Sequence, residues 1–395
     1  MPASPATAAP APHRRQLVVA TVTLAVASFS HGLTMPLLSL VLDHQGIDET
    51  LIGLNAGAYF IAVFAAAPLA SRVLRARGPA LIMLGSILAT AALLALLRAF
   101  PDVWLWFSLR FLLGMAASFL WIAGEAWMNH AAAESHRGRI IAVFGVVVSA
   151  GFALGPLILS VTGAHGWAPF LVTIALLLVG AAVLAGALGS SPKLEGPTSA
   201  TLARYVLLAP VAAFGYFVFA AGDAMLLTFL PIYAVGLGVD ETHAIRLLTV
   251  MALGSMALQY PVGWLADRVS NRALAAVMGA ALLAGSALLP WAIPHPATAV
   301  GIVFMFVYGG ALGALYTLSL ILVGRRFRGA DLGGASAMLA VMFCIGSFLW
   351  PSLGGAAMDR FGGDAMPISL VAAYALFLVI MAATRLRGPP PQARI

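Results

Sequence analysis

Four ionisable side chains, His31, Arg110, Glu125 and Asp223, interrupt stretches of sequence that are otherwise apolar. An ionised group facing hydrocarbon costs roughly 3 kcal/mol on insertion scales, so each must face a protein interior or water. On one helix, Arg110 and Glu125 would lie about 60° apart in azimuth and about 22 Å apart along the axis. They cannot pair, but they share a side, with Gly114, Ser118 and Trp121 between them. Trp121, one turn before Glu125, would strip water from its carboxyl, and a carboxyl poised to exchange protons is what a proton-coupled carrier needs. Asp223 and His31 complete the set expected to carry protons. Plainer readings stand beside this one: Arg110 balanced by backbone carbonyls, Glu125 paired with Arg137 or Arg139, and His31 hydrogen-bonded in an interior.

The elements that must position these groups are membrane spans. Of 395 residues, 62% are hydrophobic and 9% are charged, against roughly 25% charged in a soluble domain. Runs long enough to cross a hydrocarbon core of roughly 30 Å recur twelve times. They fall near 17–41, 50–70, 79–98, 102–129, 139–162, 167–189, 204–234, 243–266, 273–293, 297–323, 332–358 and 365–385. The chain is therefore read as an all-α membrane protein of twelve transmembrane helices. Within the spans, Asn55, Tyr59, Ser118, Trp121, Gln259, Tyr308 and Tyr316 are expected to line a substrate cavity. Tyr308 and Tyr316 are read as sharing a helix face beside Gly309, Gly310 and Gly313. Hydrogen bonding between helices is the competing use of Asn55 and Gln259.

The sequence repeats itself at a spacing of about 195 residues: Pro36 recurs as Pro231, Gly151 as Gly346 and Pro156 as Pro351. Asp48-Glu49-Thr50 recurs as Asp240-Glu241-Thr242, and Leu69-Ala70-Ser71-Arg72 as Leu265-Ala266-Asp267-Arg268. Two homologous six-helix halves around a midplane site form the architecture of a secondary transporter. The halves are expected at 17–189 and 204–386, joined by a helix-breaking cytoplasmic linker at 190–203 and flanked by tails at 1–16 and 387–395. The first tail, rich in Ala and Pro, is expected to be disordered. In this register Asp223 corresponds to Ser28, and His31 lies one turn further along the first span.

The net charge of +7 has its own pattern. With the amino terminus inside, seventeen of the 21 Lys and Arg residues fall in inside loops and tails. Arg98, Arg246 and Arg360 fall outside, and Arg110 lies within a span. The positive-inside rule then places both termini in the cytoplasm, and the basic charge is topology rather than a nucleic-acid footprint. Arg14-Arg15 ahead of the first span is read as an anchor for an uncleaved helix, which is too long for a signal core. Cys344 is the only cysteine, which excludes an intrachain disulfide and a thiolate metal cluster.

Gly263-Trp264-Leu265-Ala266-Asp267-Arg268, followed by Arg272, is similar to the G-x-L-A-D-R-x-x-x-R signature of the major facilitator superfamily. The chain resembles that superfamily over essentially its whole length. The resemblance implies the major facilitator fold, with a cytoplasmic gate built from Asp267, Arg268 and Arg272 together with Arg72, Arg137 and Arg139. Its first-half copy has Ser71 where the carboxylate belongs, which puts the latch on Asp267. Arg110 and Gly114 resemble the R-x-x-x-G motif, whose arginine is linked to proton transfer. Gly145, Gly151, Gly155 and Pro156 resemble the helix-bending G-x-x-x-G-P motif of the drug–proton antiporter branches. The first and seventh helices of this fold face each other, so His31 and Asp223 are expected to bracket the substrate path.

The expected activity is proton-coupled antiport that exports a small amphipathic or cationic compound by alternating access. The alternative is proton-coupled uptake or exchange of a small anionic metabolite bound by Arg110. Expected partners are the substrate, protons and the bilayer of a bacterial inner membrane, with the protein a monomer and with no nucleic acid, cofactor or metal. Enzyme chemistry is not expected. His44 and Asp48 flank three residues where an acyltransferase motif needs four, and the sole lysine, Lys193, excludes a Walker loop. Two unequal halves do not build the ring filter of a channel.

Overall fold

Backbone amides in hydrocarbon must find partners within their own segment, and a helix is the simplest way to do so. The computed structural model describes residues 14–131, 137–188, 202–295, 298–328 and 330–386, and its regular structure is entirely helical over these residues. The first half contains α1 (Arg14–His44), α2 (Glu49–Arg77), α3 (Pro79–Ala99), α4 (Val103–Ala131), α5 (Arg137–Thr162) and α6 (Ala168–Ala185). The second begins with a short α7 (Leu202–Leu208) and continues with α8 (Pro210–Gly236), α9 (Glu241–Ala266) and α10 (Asn271–Ala292). It ends with α11 (Ala299–Arg326), α12 (Ala330–Phe361) and α13 (Ala365–Leu386). Twelve of these helices are long and apolar enough to cross a membrane. The span expected at 204–234 is broken at Ala209, because Pro210 has no amide proton and starts a new helix as its first residue.

The repeat reappears as matched local chemistry. Asp48 caps α2 by accepting from the Leu51 N–H at 2.8 Å, and Asp240 caps α9 by accepting from the His243 N–H at 3.3 Å. Packing repeats too: α1 lies on α5 as α8 lies on α12, α2 on α4 as α9 on α11, and α3 on α6 as α10 on α13. The α1–α5 and α8–α12 pairs come together where glycine removes the Cβ. Gly151 sits on the Ala25 carbonyl, and its counterpart Gly346 sits on the Phe217 carbonyl. Between the halves, α2 packs on α12, α5 on α9 and α1 on α8. Exchanging the halves turns the first pair into the second and the third into itself, so the interface has the pseudo-twofold symmetry that the repeat demands.

α5 remains α-helical through Pro156. Gly151 and Gly155 both press against α1, whereas Gly145 has open space where a side chain would begin. Of the three glycines grouped as a bending motif, two are contact residues and one is not.

Candidate functional site

The halves meet at the end of the bundle away from the start of α1 and the end of α13, called here the far end. The Asp359 carboxylate on α12 accepts from the backbone N–H groups of Glu49 at 2.9 Å and Thr50 at 2.8 Å, and from the Thr50 hydroxyl. It thus caps the first turn of α2 from the opposite half. His44 at the end of α1 pairs with Glu241 at the start of α9 at 2.8 Å. The α2–α12 seam continues inward through Gly57 against Phe348 to Phe60, whose ring lies 5.9 Å from that of Phe343. Nearer the chain termini, Phe64 and Glu125 are exposed. Because Glu125 also lies within electrostatic range of Tyr216 and Tyr316 of the other half, we read the space there as a cleft between the halves. A lost helix cap costs about 1 kcal/mol, so Asp359→Ala should shift the balance between closed and open far ends about fivefold toward open. Spin–spin distances between labels at Trp104→Cys and Val300→Cys would register that shift, and an unchanged distribution would show the contact to be idle.

The floor of the cleft is aromatic. Tyr216 and Phe219 from α8, Tyr316 from α11 and Phe343 from α12 form one cluster of half-buried rings. Ring centroids are 5.5 Å apart for Tyr216–Tyr316, 5.2 Å for Phe219–Tyr316 and 6.1 Å for Tyr216–Phe343. Glu125 faces them from the first half, close enough for its carboxylate to act electrostatically on both tyrosine hydroxyls. A carboxylate within electrostatic range of a cluster of aromatic rings is a setting suited to an organic cation.

The first half also holds a pocket between α1, α2, α3, α4 and α6, whose polar and aromatic lining includes Ser30, His31, Thr34, Tyr59, Thr90 and Trp121. His31 Nδ1 and the Tyr59 hydroxyl are 3.2 Å apart, and the His31 ring stacks on Phe152 at 6.1 Å. Arg110 is 1% exposed. One of its terminal nitrogens lies 3.3 Å from Met35 Sδ, and its guanidinium carbon lies 5.9 Å from the centre of the Tyr59 ring. Its Nε and Nη1 have no hydrogen-bond partner among the described residues.

The second half has its own interior cluster. Asp223 is half-buried on α8, within electrostatic range of Tyr374 on α13, and Gly222 leaves the room that the Tyr374 hydroxyl fills. Tyr308 is buried beside it with its hydroxyl 2.9 Å from Ser286. Tyr308 and Tyr316 therefore face different surroundings, and the shared cavity expected for them is replaced by one interior and one cleft position. His31 and Asp223 likewise belong to separate clusters, with no contact between them among the described residues.

Ser118 is buried and directs its hydroxyl to the Val63 carbonyl at 3.4 Å, between α4 and α2. Asn55 is buried, with its amide nitrogen unpartnered among the described residues, and Gln259 is half-buried on α9. At the proposed gate, Asp267 bonds Arg325 of its own half at 2.8 Å, not a residue of the other half. Asn271, with its amide turned to suit its neighbours, bridges the Ala266 carbonyl and Arg325. Arg268 lies 3.4 Å over the Trp264 ring, Arg272 bonds the Met381 carbonyl and the Thr384 hydroxyl, and Arg72 is exposed. The side chains of Arg137 and Arg139 lie outside the described residues. Phe219, Phe343, Tyr374 and Asp359 join these clusters without any mark in the spacing of the intramembrane ionisable residues.

Two pseudo-symmetric six-helix halves, closed at one end over a central cleft with titratable side chains, define a membrane carrier of the secondary-transporter type. The Major Facilitator Superfamily model matches residues 20–210 and 212–395, and the chain belongs to that family. It is 26% identical over 357 residues to the uncharacterized MFS-type transporter YfkF of Bacillus subtilis (strain 168), covering 88% of this chain and 90% of that one. It is 22% identical over 295 residues to the uncharacterized MFS-type transporter YcaD of Shigella flexneri, covering 74% and 75%. Among solved structures, it is similar to the nucleoside transporter NupG at a TM-score of 0.76 and 12% identity, covering 95% of this chain and 100% of that one. A bacterial homolog of the human lysosomal transporter Spinster, in an inward-facing unoccupied conformation, matches at 0.74 and 14% identity, covering 95% and 96%. At such identities these two likenesses concern the fold.

Proposed function

We propose that this transporter is a proton-coupled antiporter that exports a small amphipathic cation, acting as a monomer in a bacterial inner membrane. The observation that carries this reading is the Tyr216–Phe219–Tyr316–Phe343 ring cluster with the Glu125 carboxylate of the other half within electrostatic range of both its tyrosines. Cation–π attraction is worth about 2 kcal/mol per ring when desolvated, and a carboxylate supplies the counter-charge. A proton on Glu125 neutralises the carboxylate beside the ring cluster, so proton and cation compete for one site and exchange follows from alternating access. The basic inner loops support placing the cleft mouth in the cytoplasm, where an exported compound would load. The antiporter-like glycines of α5 point the same way.

The second reading is carriage of a small anion held by Arg110, favoured by that residue's two unpartnered donors. Arg110 and Glu125 are about 22 Å apart along α4, too far to grip one small molecule together, so the two readings separate experimentally. Reconstituted liposomes under a pH gradient, challenged with tetraphenylphosphonium, should show cation-evoked proton movement that Glu125→Gln abolishes. Tyr216→Ala should weaken it about tenfold, the loss of one well-placed aromatic contact. Proton movement indifferent to Glu125→Gln would sink the cation site. A response confined to organic anions and silenced by Arg110→Ala would establish the second reading instead.

A further inference from the structure

At the closed far end, three metal-ligating side chains from separate parts of the chain converge. His44 ends α1, His165 lies in the loop between α5 and α6, and Glu241 opens α9 in the other half. One ligand atom from each lies within 4.8 Å of the others. His44 Nε2 and Glu241 Oε2 are 2.8 Å apart, and the His44 and His165 rings stack at 4.3 Å with 19° between their planes. Asp43 is close enough to act electrostatically on both His44 and Glu241, adding a further negative charge.

We infer that His44, His165 and Glu241 form a binding site for a transition-metal dication of the zinc class, and that the ion clamps the two halves shut at this end. Two imidazoles and one carboxylate make a set of borderline donors that suits Zn²⁺ and leaves a fourth position for water. In a tetrahedral site with bonds near 2.1 Å, ligand atoms stand about 3.4 Å apart. The His44–Glu241 separation of 2.8 Å lies below that value and no separation exceeds 4.8 Å, so the adjustment asked of these side chains is on the order of an ångström.

The consequence is conformational. Both histidines belong to the first half and Glu241 to the second, so the complete ligand set exists only while the far end is closed. An ion that binds one state alone stabilises that state by RT ln(1 + [M]/Kd), which at 100 times Kd amounts to about 2.7 kcal/mol. Metal at this face would therefore hold the carrier with its cleft facing the chain termini and stop its cycle. The site is independent of the substrate assignment, since it lies at the opposite end of the bundle from the cleft mouth.

Calorimetric titration of tag-free protein with Zn²⁺ tests the site, and spin–spin distances test the clamp. The distances would be read between labels at Trp104→Cys and Val300→Cys in a Cys344→Ser background. One Zn²⁺ per chain is expected, with affinity at least about tenfold weaker in His44→Ala, His165→Ala and Glu241→Gln. Adding Zn²⁺ should collapse the label distances onto the short, closed-end population in the parent protein and not in Glu241→Gln. Absence of saturable binding would overturn the site. Unaltered affinity in Glu241→Gln, or label distances indifferent to Zn²⁺, would overturn the clamp by placing any ion on the first half alone.

Discussion

Arg110→Met is expected to raise the melting temperature of this protein by several degrees while cutting coupled transport at least about tenfold. The guanidinium is 1% exposed, and its partners are a thioether and the face of a phenol ring. Cation–π attraction of about 2 kcal/mol does not offset a desolvation penalty of several kcal/mol for a buried ion. With Nε and Nη1 unpartnered among the described residues, Arg110 is expected to be a net cost to the fold. Replacing a buried charge by an apolar residue of similar volume is commonly neutral or stabilising by about 1–4 kcal/mol. A residue kept at such a cost is accounted for by what it binds in another state, whether a passing anion or a carboxyl that changes protonation. Coupling energies between sites run about 1–3 kcal/mol, which sets the expected loss. Arg110→Lys should fall between the two, because it keeps the charge but not the planar array of donors. The check is a thermal melt beside a liposome flux assay. A lower melting temperature in Arg110→Met would show that the guanidinium supports the fold, and unimpaired flux would remove it from the mechanism.

What was readable in the sequence follows the physics of each signal. The spans were legible because each depends on residues close together in the chain, and the repeat because the same residues recur in order; that Asp48 and Asp240 cap α2 and α9 is what the structure adds. The ionisable residues were legible as a set, since hydrocarbon penalises each of them wherever it points. Their grouping was not. Tyr308 and Tyr316 are eight residues apart, which on an α-helix is about 80° of azimuth, enough to send one into the second-half interior and the other into the cleft. Phe219 and Phe343 gave no signal, because a phenylalanine in an apolar span reads alike whether it faces lipid, a neighbour or a cavity. The capping of α2 by Asp359 of α12, and the meeting of His44 with His165 and Glu241, depend on how the halves close on each other, which no local pattern encodes. The bending motif groups Gly145, Gly151 and Gly155 alike, but only Gly151 and Gly155 touch α1.

That division of the α5 glycines leads to the second large effect. A Cβ at Gly155 would run into backbone atoms of Gly32 and Leu33 on α1, and one at Gly151 into the Ala25 carbonyl. Backbone cannot rotate out of the way, so the α1–α5 pair must separate to admit a side chain. Helices in a bilayer are held by close van der Waals packing rather than by exclusion of water, so separation forfeits the contact that stabilises the pair. Overpacking costs about 1–3 kcal/mol even where side chains can adjust. Gly155→Val should therefore cost at least that much and sharply lower the yield of folded, monodisperse protein. Gly145→Val, with nothing within 4 Å of the new Cβ, should leave yield and melting temperature unchanged. Size-exclusion chromatography and thermal melts of the two variants in the same detergent make the comparison. Equal damage from both would mean that α5 needs glycine for backbone bending along its length, and equal tolerance would mean that α1 and α5 are not pressed together as described. The expected asymmetry assigns the motif's role to contact: α5 carries glycine where α1 crosses it, and α12 carries Gly346 against α8 for the same reason.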